Sequence, residues 1–334
     1  MPPNPPTALS TVLRSHHFST RRWLEICLGL LLVMVGLPVL AGNLLYVSLD
    51  NSSIVTFDAT GSDGAAIAAT RTLFATTSGV PYGLVLDNSG NLYAAIAYAN
   101  TINRYDATGT LQGTITSHLS GPNGLALDRS GNLYTANYAN HTISKFDPAG
   151  SFLATIGGPD HLSQPYGLAF DTSGYLYVSN GLLTTSFISA FDPSGAYSAD
   201  RSIGSDHLDG PIGLVFDTAG NLHVANYNAS TLATFNARKE FQGTITGNLT
   251  APYGLTRDAE GFLYAINLGS NSISKFDASG VFVTTWLAGG APIWGAFQPV
   301  AVPEIDPGSY GSALGLLLGS LSLVDRRRRS GVGA

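Results

Sequence analysis

The sequence predicts an all-β protein that folds as a six-bladed β-propeller, with the last blade closed by strands from both ends of the chain. A proline-led pattern recurs six times, starting at Pro81, Pro122, Pro165, Pro211, Pro252 and Pro292. The copies are 40 to 46 residues apart, close to the roughly 40 to 45 residues of a four-stranded blade. Each copy alternates apolar and polar residues between glycine-rich turns, as short antiparallel strands do.

The copy that begins at Pro122 shows how one blade is built. Its apolar alternation predicts strands at residues 124–127, 133–136, 142–146 and 151–156. Gly131 and Gly150 lie in the turns between them and supply the positive φ that such turns require. The repeated aspartates are therefore interpreted as turn formers. They are Asp87, Asp128, Asp171, Asp217 and Asp258.

The sixth copy stops after its first strand. Residues 43–58 contain two further strand-like segments, which supply strands that this copy lacks. Sharing one blade between the two ends closes the ring and protects sheet edges that would otherwise promote aggregation. Residues 42–300 are therefore expected to form one propeller domain.

The repeat consensus is Pro-x-Gly-Leu-Ala-x-Asp-x-x-Gly-Asn-Leu-Tyr-Val-x-Asn, followed by Ile-x-x-Phe-Asp. It closely resembles the NHL repeat over residues 43–298. The resemblance implies a six-bladed propeller and leaves the activity open, since this fold carries lactonases, lyases and binding platforms.

Charge and cysteine content exclude several classes of function. Residues 42–303 contain 16 Asp and 2 Glu against 3 Lys and 6 Arg, a net charge of −9. Such a body repels phosphate backbones, so no nucleic-acid partner is expected. The single cysteine, Cys27, lies in the N-terminal apolar run, which excludes disulfides and cysteine metal sites from the body.

Residues 1–41 are predicted to be a signal peptide. A polar leader with Arg14, Arg21 and Arg22 precedes an apolar run over residues 26–41 that ends in Val-Leu-Ala. An uncleaved anchor is the alternative, but this run is shorter than the roughly 20 residues of a spanning helix. The signal peptide predicts an exported protein at the cell envelope or extracellular surface.

Residues 301–334 are predicted to be a sorting tail. Pro303 and Glu304 precede a short apolar helix over residues 310–324, which is expected to span the membrane before processing. A basic cluster follows, and it would stay on the cytoplasmic side. It consists of Arg326, Arg327, Arg328 and Arg329. This order resembles the bacterial PEP-CTERM signal, which implies export and exosortase-type sorting machinery as partners, and a permanent C-terminal anchor is the alternative.

The residue between Pro and Gly is the leading candidate for ligand binding, because it is expected at the mouth of the axial channel. The candidates there are Tyr82, Asn123, Tyr166, Tyr253 and Trp294. Aromatic faces with polar edges suit sugars or peptides. The alternative is that these side chains only fill the channel. Gluconolactonase-like propellers resemble this chain in the Pro-x-Gly strand and carry metal-binding Asn, Asp or Glu at that position, where only Asn123 is of that type here.

Two further patterns recur across the blades. A ring of asparagines follows the second strands and is interpreted as turn-forming, with a polar rim that binds ligand or a weakly held cation as the alternative. It consists of Asn137, Asn180, Asn226 and Asn267. His118, His161 and His207 each precede a leucine, but blades rotated by about 60 degrees would hold them too far apart to share zinc.

The sequence therefore predicts a non-enzymatic binding or structural module whose partner is an extracellular glycan, matrix polymer or protein. No catalytic motif and no metal site are expected. The alternative is a propeller enzyme, a gluconolactonase-like hydrolase or a lyase, with a divalent cation in the axial channel.

Overall fold

The computed structural model describes residues 44–181 and 186–297, which contain 23 β-strands and one short α-helix. The strands form six antiparallel sheets. Their innermost strands contact one another in a closed cycle, in chain order, so the sheets surround one axis as propeller blades. The predicted six-bladed β-propeller is confirmed.

The blades are numbered in chain order. Blade 1 contains β1 (Leu44–Leu49), β2 (Ser53–Asp58), β3 (Thr72–Thr76) and the last strand, β23 (Pro292–Phe297). Blade 2 contains β4 (Pro81–Leu86), β5 (Leu92–Ile96), β6 (Thr101–Tyr105) and β7 (Leu111–Ile115). Blade 3 contains β8 (Pro122–Leu127), β9 (Leu133–Asn137), β10 (Thr142–Phe146) and β11 (Phe152–Ile156). Blade 4 contains β12 (Pro165–Phe170), β13 (Leu176–Asn180) and β14 (Phe187–Phe191). Blade 5 contains β15 (Pro211–Phe216), β16 (Leu222–Asn226), β17 (Thr231–Phe235) and β18 (Phe241–Ile245). Blade 6 contains β19 (Pro252–Arg257), β20 (Leu263–Asn267), β21 (Ser272–Phe276) and β22 (Phe282–Leu287). The helix α1 (Gly64–Ala69) connects β2 to β3.

The hydrophobic core lies between neighbouring blades. The second strand of every blade is buried along nearly its whole length, whereas outer strands such as β11 and β18 alternate between partly buried and exposed residues. Between blades 4 and 5, for example, Tyr177 and Ile188 pack in one cluster with Leu214 and Leu222. Each blade therefore buries its two faces against its neighbours.

The glycine of the Pro-x-Gly pattern allows the inner strands to approach closely. A Cβ on Gly124 would lie 2.2 Å from the carbonyl oxygen of Tyr166, and one on Gly83 would lie 2.1 Å from that of Asn123. Real Cβ atoms do not come this close to a backbone oxygen. The repeat therefore requires glycine because of packing around the axis.

Blade 1 closes the ring as predicted. Strand β1 pairs with β23 on its inner side, where Leu45 lies opposite Phe297 and Tyr46 opposite Ala296. Blade 6 also holds the chain beyond β2, because Lys275 Nζ donates to the carbonyl oxygens of Ala59 and Gly61 at 3.0 and 2.9 Å. The first and last strands of the domain are thus paired along their length, and side-chain hydrogen bonds from blade 6 add to this connection.

Blade 4 differs from the four-stranded repeat. Its outer edge is covered by an irregular segment that makes only two isolated bridges, from Ile188 to Ile203 and from Phe191 to Tyr197. The Ser202 hydroxyl accepts the Ala190 N–H at 3.1 Å and so replaces a ladder bond. The 46-residue interval from Pro165 to Pro211 accommodates this segment.

The repeated aspartates form turns, as the sequence predicts. In blade 3, Asp128 Oδ1 accepts the backbone N–H groups of Ser130 and Asn132, and Oδ2 accepts from the Asn132 amide. Gly131 in the same turn has φ 78°. With these acceptor positions used in the turn, the carboxylate acts as a structural group.

The predicted signal peptide and sorting tail lie outside the described residues. Within the described parts of the chain, no helix is long and apolar enough to cross a membrane.

Candidate binding face at the channel mouth

The residues between Pro and Gly meet at one end of the axis. Tyr253 of β19 is 6% exposed, and its ring centroid lies 6.2 Å from that of Tyr166, 6.4 Å from Tyr82 and 6.5 Å from Trp294. Tyr227 lies 6.0 Å away on another side. These rings come from five different blades, so the aromatic side chains fill the channel at this end.

A cavity of about 520 Å³ lies beside this aromatic filling, and we call it the mouth cavity. The predicted residues Tyr82, Asn123, Tyr166 and Tyr253 line it, whereas Trp294 does not. Its remaining lining is Ala97, Tyr98, Asn100, Ser120, Gly121, Tyr138 and Ala139. The cavity therefore occupies the sector of blades 2, 3 and 4, and its volume falls within the range of small-molecule sites, about 300–1,000 Å³.

Tyr98 and Tyr138 line the cavity but were missed by sequence reasoning. Each follows the end of a second strand, Tyr138 directly after β9 and Tyr98 in a single turn of 3-10 helix after β5. The Tyr82 hydroxyl donates to the Tyr98 hydroxyl at 3.3 Å, and the Tyr138 ring centroid lies 5.2 Å from that of Tyr166. A search for aromatic residues directly beyond the asparagine ring would have found Tyr138.

The mouth cavity carries no charge. None of the described residues that line it is Asp, Glu, Lys, Arg or His. Burial raises the pKa of Tyr82, of Tyr166 and of Tyr253, and neighbouring tyrosines raise these pKa values further. These three hydroxyl groups therefore remain protonated at physiological pH and act as neutral donors and acceptors.

Asn123 is a buried amide with one unused atom. Its side chain is 4% exposed and lies near the Tyr253 hydroxyl, where it opposes the rise in the Tyr253 pKa. The carbonyl oxygen Oδ1 has no hydrogen-bond partner. Asn123 is one of six described residues with such a buried atom, and this oxygen lies beneath the cavity surface.

The asparagine ring lies behind the mouth cavity, and its side-chain amides form hydrogen bonds with neighbouring loops. The four amides are at most 3% exposed. Asn137 Oδ1 accepts the Ser120 N–H at 3.0 Å, and its Nδ2 donates to the Ser144 hydroxyl at 2.8 Å. Asn180, Asn226 and Asn267 make the corresponding bonds to Ser163, Asp209 and Thr250. The interpretation of these asparagines as turn formers, bonded to their own neighbouring backbone, is corrected. Each side-chain oxygen instead accepts a hydrogen bond from the backbone N–H of a loop residue 17 positions earlier in the chain.

The three repeated histidines lie on the outer rim. His118, His161 and His207 stack on Phe152, Tyr197 and Phe241 at centroid distances of 3.7, 3.8 and 3.6 Å. Leu162 and Leu208, which follow two of them, are buried. Each histidine packs on its own blade, and the described residues contain no group of three or more His, Cys, Asp or Glu side chains that could hold a metal ion.

A larger cavity of about 830 Å³ opens at the opposite ends of the inner strands. Asp128, Asp171 and Asp217 line it together with Lys145 and Arg257. The three aspartates are the turn formers described above, and Lys145 lies 3.7 Å from Asp128. Lys145 is therefore paired with a turn aspartate, whereas Arg257 Nε is buried without a hydrogen-bond partner.

The family model for the NHL repeat matches residues 119–146, which is most of blade 3. This segment is an NHL repeat. Comparison with curated protein sequences gives no match.

Solved structures of similar shape include both binding proteins and enzymes. A chain of the nidogen/laminin complex is 18% identical with a TM-score of 0.68, covering 78% of this chain and 99% of that one. A protein of unknown function from Bacteroides caccae is 14% identical with a TM-score of 0.60, covering 77% and 99%. Virginiamycin B lyase from Staphylococcus aureus is 15% identical with a TM-score of 0.54, covering 70% and 76%. At these identities the similarity shows the propeller fold alone.

Proposed function

We propose that the protein is an exported β-propeller, sorted to the cell envelope, that acts as a non-enzymatic binding module for an extracellular glycan, matrix polymer or protein. The observation that carries this proposal is the uncharged mouth cavity, with its lining of tyrosines. Aromatic side chains contribute large contact areas while their hydroxyl groups fix orientation.

The packing around the axis supports a preorganised site. Tyr253 and Tyr166 are each 6% exposed and form the wall of the cavity. Tyr98 is 82% exposed at the rim and is therefore accessible to a ligand. A rigid wall with one exposed aromatic residue lowers the entropy lost on binding.

The choice of lining residues argues against catalysis. General acid–base chemistry needs a group whose pKa lies near the working pH, whereas burial raises the pKa of the cavity tyrosines away from it. A calcium ion takes six to eight oxygen ligands, and among the described residues of the lining only Asn123 and Asn100 carry amide side chains. Stoichiometric Ca, Mg or Zn in the purified body, measured by elemental analysis, would instead favour a lactonase or lyase.

The binding proposal is tested by comparing two tyrosine variants of the mature protein. Wild type is screened against extracellular polysaccharides, glycans and envelope proteins, and any saturable ligand is titrated with Tyr98→Ala and Tyr197→Ala. Tyr197 serves as the control because it is a surface tyrosine on the rim of blade 4. Loss of affinity in Tyr98→Ala alone supports the proposal. Equal affinity in both variants contradicts the placement of the site at the mouth cavity, and the absence of any saturable ligand contradicts the binding function and favours a spacer or coat component.

The location at the envelope rests on the two ends of the sequence. The N-terminal apolar run supports export, and Pro303 and Glu304 before an apolar run and four arginines support exosortase-type sorting. Deletion of residues 303–334 should release the protein into the medium or misplace it, as followed by immunoblotting of cell fractions. Unchanged surface retention would contradict the sorting role.

A further inference from the structure

We propose that the mouth cavity receives an arginine side chain from a basic segment of an extracellular protein partner. This inference rests on the proposed binding function and chooses the protein among its three classes of ligand.

The first step concerns the aromatic lining of the mouth cavity. Its five tyrosines are Tyr82, Tyr98, Tyr138, Tyr166 and Tyr253. Neighbouring ring centroids in this set lie between 5.2 and 6.4 Å apart. A cation is attracted to an aromatic ring when it lies within about 6 Å of the ring centroid. A cation in the cavity can therefore interact with more than one ring, and Tyr98, which is 82% exposed, is accessible to it from the rim.

The second step concerns the charge of the loops around the cavity. These loops precede the inner strands or connect the second strand of a blade to the third, and we call them the mouth loops. They contain four exposed aspartates and no lysine or arginine, a charge of −4 with histidines neutral. The aspartates are Asp50, Asp160, Asp206 and Asp209. The described residues of the mouth loops are 50–52, 77–80, 97–100, 116–121, 138–141, 157–164, 181, 186, 204–210, 227–230, 246–251, 268–271 and 288–291.

Basic residues lie elsewhere on the propeller. Arg129, Lys145 and Arg257 line the cavity at the opposite end of the inner strands. Arg71 reaches a mouth loop, where its Nε donates to the Ala288 carbonyl oxygen at 3.0 Å, but this contact joins blades 1 and 6. The mouth cavity lies in the sector of blades 2, 3 and 4, so a positively charged ligand approaches it over an acidic surface.

The third step concerns the kind of cation. Removal of a charge from water is costly without a counter-ion, and none of the described residues that line the cavity is Asp or Glu. A guanidinium is more weakly hydrated than an ammonium and stacks on aromatic faces, so it loses less on entering. The Tyr82 and Tyr98 hydroxyls share one hydrogen bond and retain acceptor lone pairs for its N–H groups. Arginine therefore suits this cavity better than lysine.

The fourth step concerns the molecule that carries the arginine. Asp50 belongs to blade 1, Asp160 precedes blade 4, and Asp206 and Asp209 precede blade 5. A single guanidinium in the cavity cannot pair with aspartates spread over the face in this way, whereas basic residues that flank it in a peptide can approach them. A small cation or a neutral sugar would leave this charge complementarity unused. The observations therefore favour a basic protein segment.

The first measurement uses peptides on the wild-type protein. A decapeptide of alternating glycine and arginine is compared with the same peptide carrying citrulline, which keeps the shape of arginine without its charge. At an ionic strength of about 0.15 M, we expect saturable binding of the arginine peptide, about tenfold or more tighter than the citrulline peptide. A lysine peptide should bind more weakly than the arginine peptide. A glutamate peptide and cellohexaose are the acidic and neutral probes.

The second measurement uses variants at the rim of the cavity. Tyr98→Leu removes an aromatic face and should lower the affinity for the arginine peptide by about 2- to 30-fold. Tyr98→Phe keeps the ring and should stay within about twofold of wild type. Tyr197→Leu is the control, because Tyr197 is an exposed tyrosine on the rim of blade 4 outside the cavity lining. Unfolding midpoints of the three variants show whether the fold is retained.

Several results would overturn the inference. Equal affinity for the arginine and citrulline peptides excludes recognition of the charge, and equal affinity for the lysine peptide excludes selection of arginine. Arginine binding that Tyr98→Leu leaves unchanged would assign the affinity to the acidic surface alone. Binding of only the glutamate peptide or cellohexaose, lost in Tyr98→Leu, overturns the inference and leaves the binding function in place. No binding of any of these probes also overturns it, whereas the binding function fails only if the wider ligand screen finds no ligand.

Discussion

Tyr253 of blade 6 meets Tyr166 of blade 4 edge to face, with ring centroids 6.2 Å apart and the planes at 88°. Blade 5 separates these two blades in the ring, so the contact joins blades that are not neighbours. The same tyrosine also approaches Tyr82 and Trp294. One side chain thus joins several blades and closes the channel behind the mouth cavity.

Tyr253→Ala should destabilise the protein strongly. Removal of this largely buried aromatic side chain enlarges the cavity and costs about 3–5 kcal/mol of unfolding free energy. Tyr98→Ala is the control, since Tyr98 is 82% exposed and its removal should cost less than about 0.5 kcal/mol. Urea denaturation of the two variants measures the difference, and similar midpoints would show that the axial aromatic residues are not a structural unit.

Gly124→Ala should also be destabilising, although alanine is among the smallest of side chains. The new methyl group would lie 2.2 Å from the Tyr166 carbonyl oxygen on the neighbouring inner strand, and such overpacking costs about 1–3 kcal/mol. Gly113→Ala is a matched control on the outer strand β7, where nothing lies within 4 Å. Thermal unfolding should separate the two variants, and a wild-type melting curve for Gly124→Ala would refute the close-approach explanation.

Asn137→Ala should weaken blade 3. The substitution leaves the buried Ser144 hydroxyl and the Ser120 N–H without their amide partner, which predicts a loss of about 2–4 kcal/mol in unfolding free energy. Asn140→Ala removes an exposed amide from the same loop and should change stability by about 0.5 kcal/mol or less. If chemical denaturation gives equal values, the asparagine ring does not hold the mouth loops.

His223 should make stability depend on pH. Burial lowers the His223 pKa below its ordinary value, and the cation of Arg257 lowers it further, while Asp217 opposes the shift. As pH falls through 6.5, His223 stays neutral in the folded state while the unfolded chain takes up a proton. Stability should therefore decrease below pH 6.5 and level off below the folded-state pKa, with a slope of at most about 1.4 kcal/mol per pH unit from this group.

His223→Tyr tests this origin directly, because tyrosine occupies the equivalent position in Tyr134, Tyr177 and Tyr264. Tyr264 already bonds its turn aspartate, Asp258, at 2.8 Å. Melting temperatures between pH 5 and 8 should vary less in the variant than in wild type. His207→Gln controls for removal of a histidine from the rim, and an unchanged slope in His223→Tyr would assign the pH dependence to other groups.

Local sequence patterns predicted most of the fold. Strand β10 has the predicted bounds, residues 142–146, and β8 begins two residues before the prediction because Pro122 pairs with Asn137. The irregular edge of blade 4 was not predicted, since the Pro165–Pro211 interval is only slightly longer than the others. The length of the interval indicates an insertion, but it does not show how the inserted residues bond to the edge strand β14.

The binding face was less predictable than the fold. Tyr82, Asn123, Tyr166 and Tyr253 occupy a repeat position, so the sequence alone places them near the axis. Which of them fill the channel and which face the cavity depends on contacts between blades far apart in the sequence. Tyr98 lies outside the consensus positions, and its place at the rim is set by a 3-10 turn after β5.

The shared blade also fixes the order in which the domain can be completed. A chain that is synthesised from its N-terminus presents β1, β2 and β3 early, but their inner partner β23 arrives last. The earliest blade is thus the latest to mature, and the nascent protein carries an unpaired strand edge until residue 297 has been added. Synthesis of the last strand and closure of the ring therefore finish in the same step.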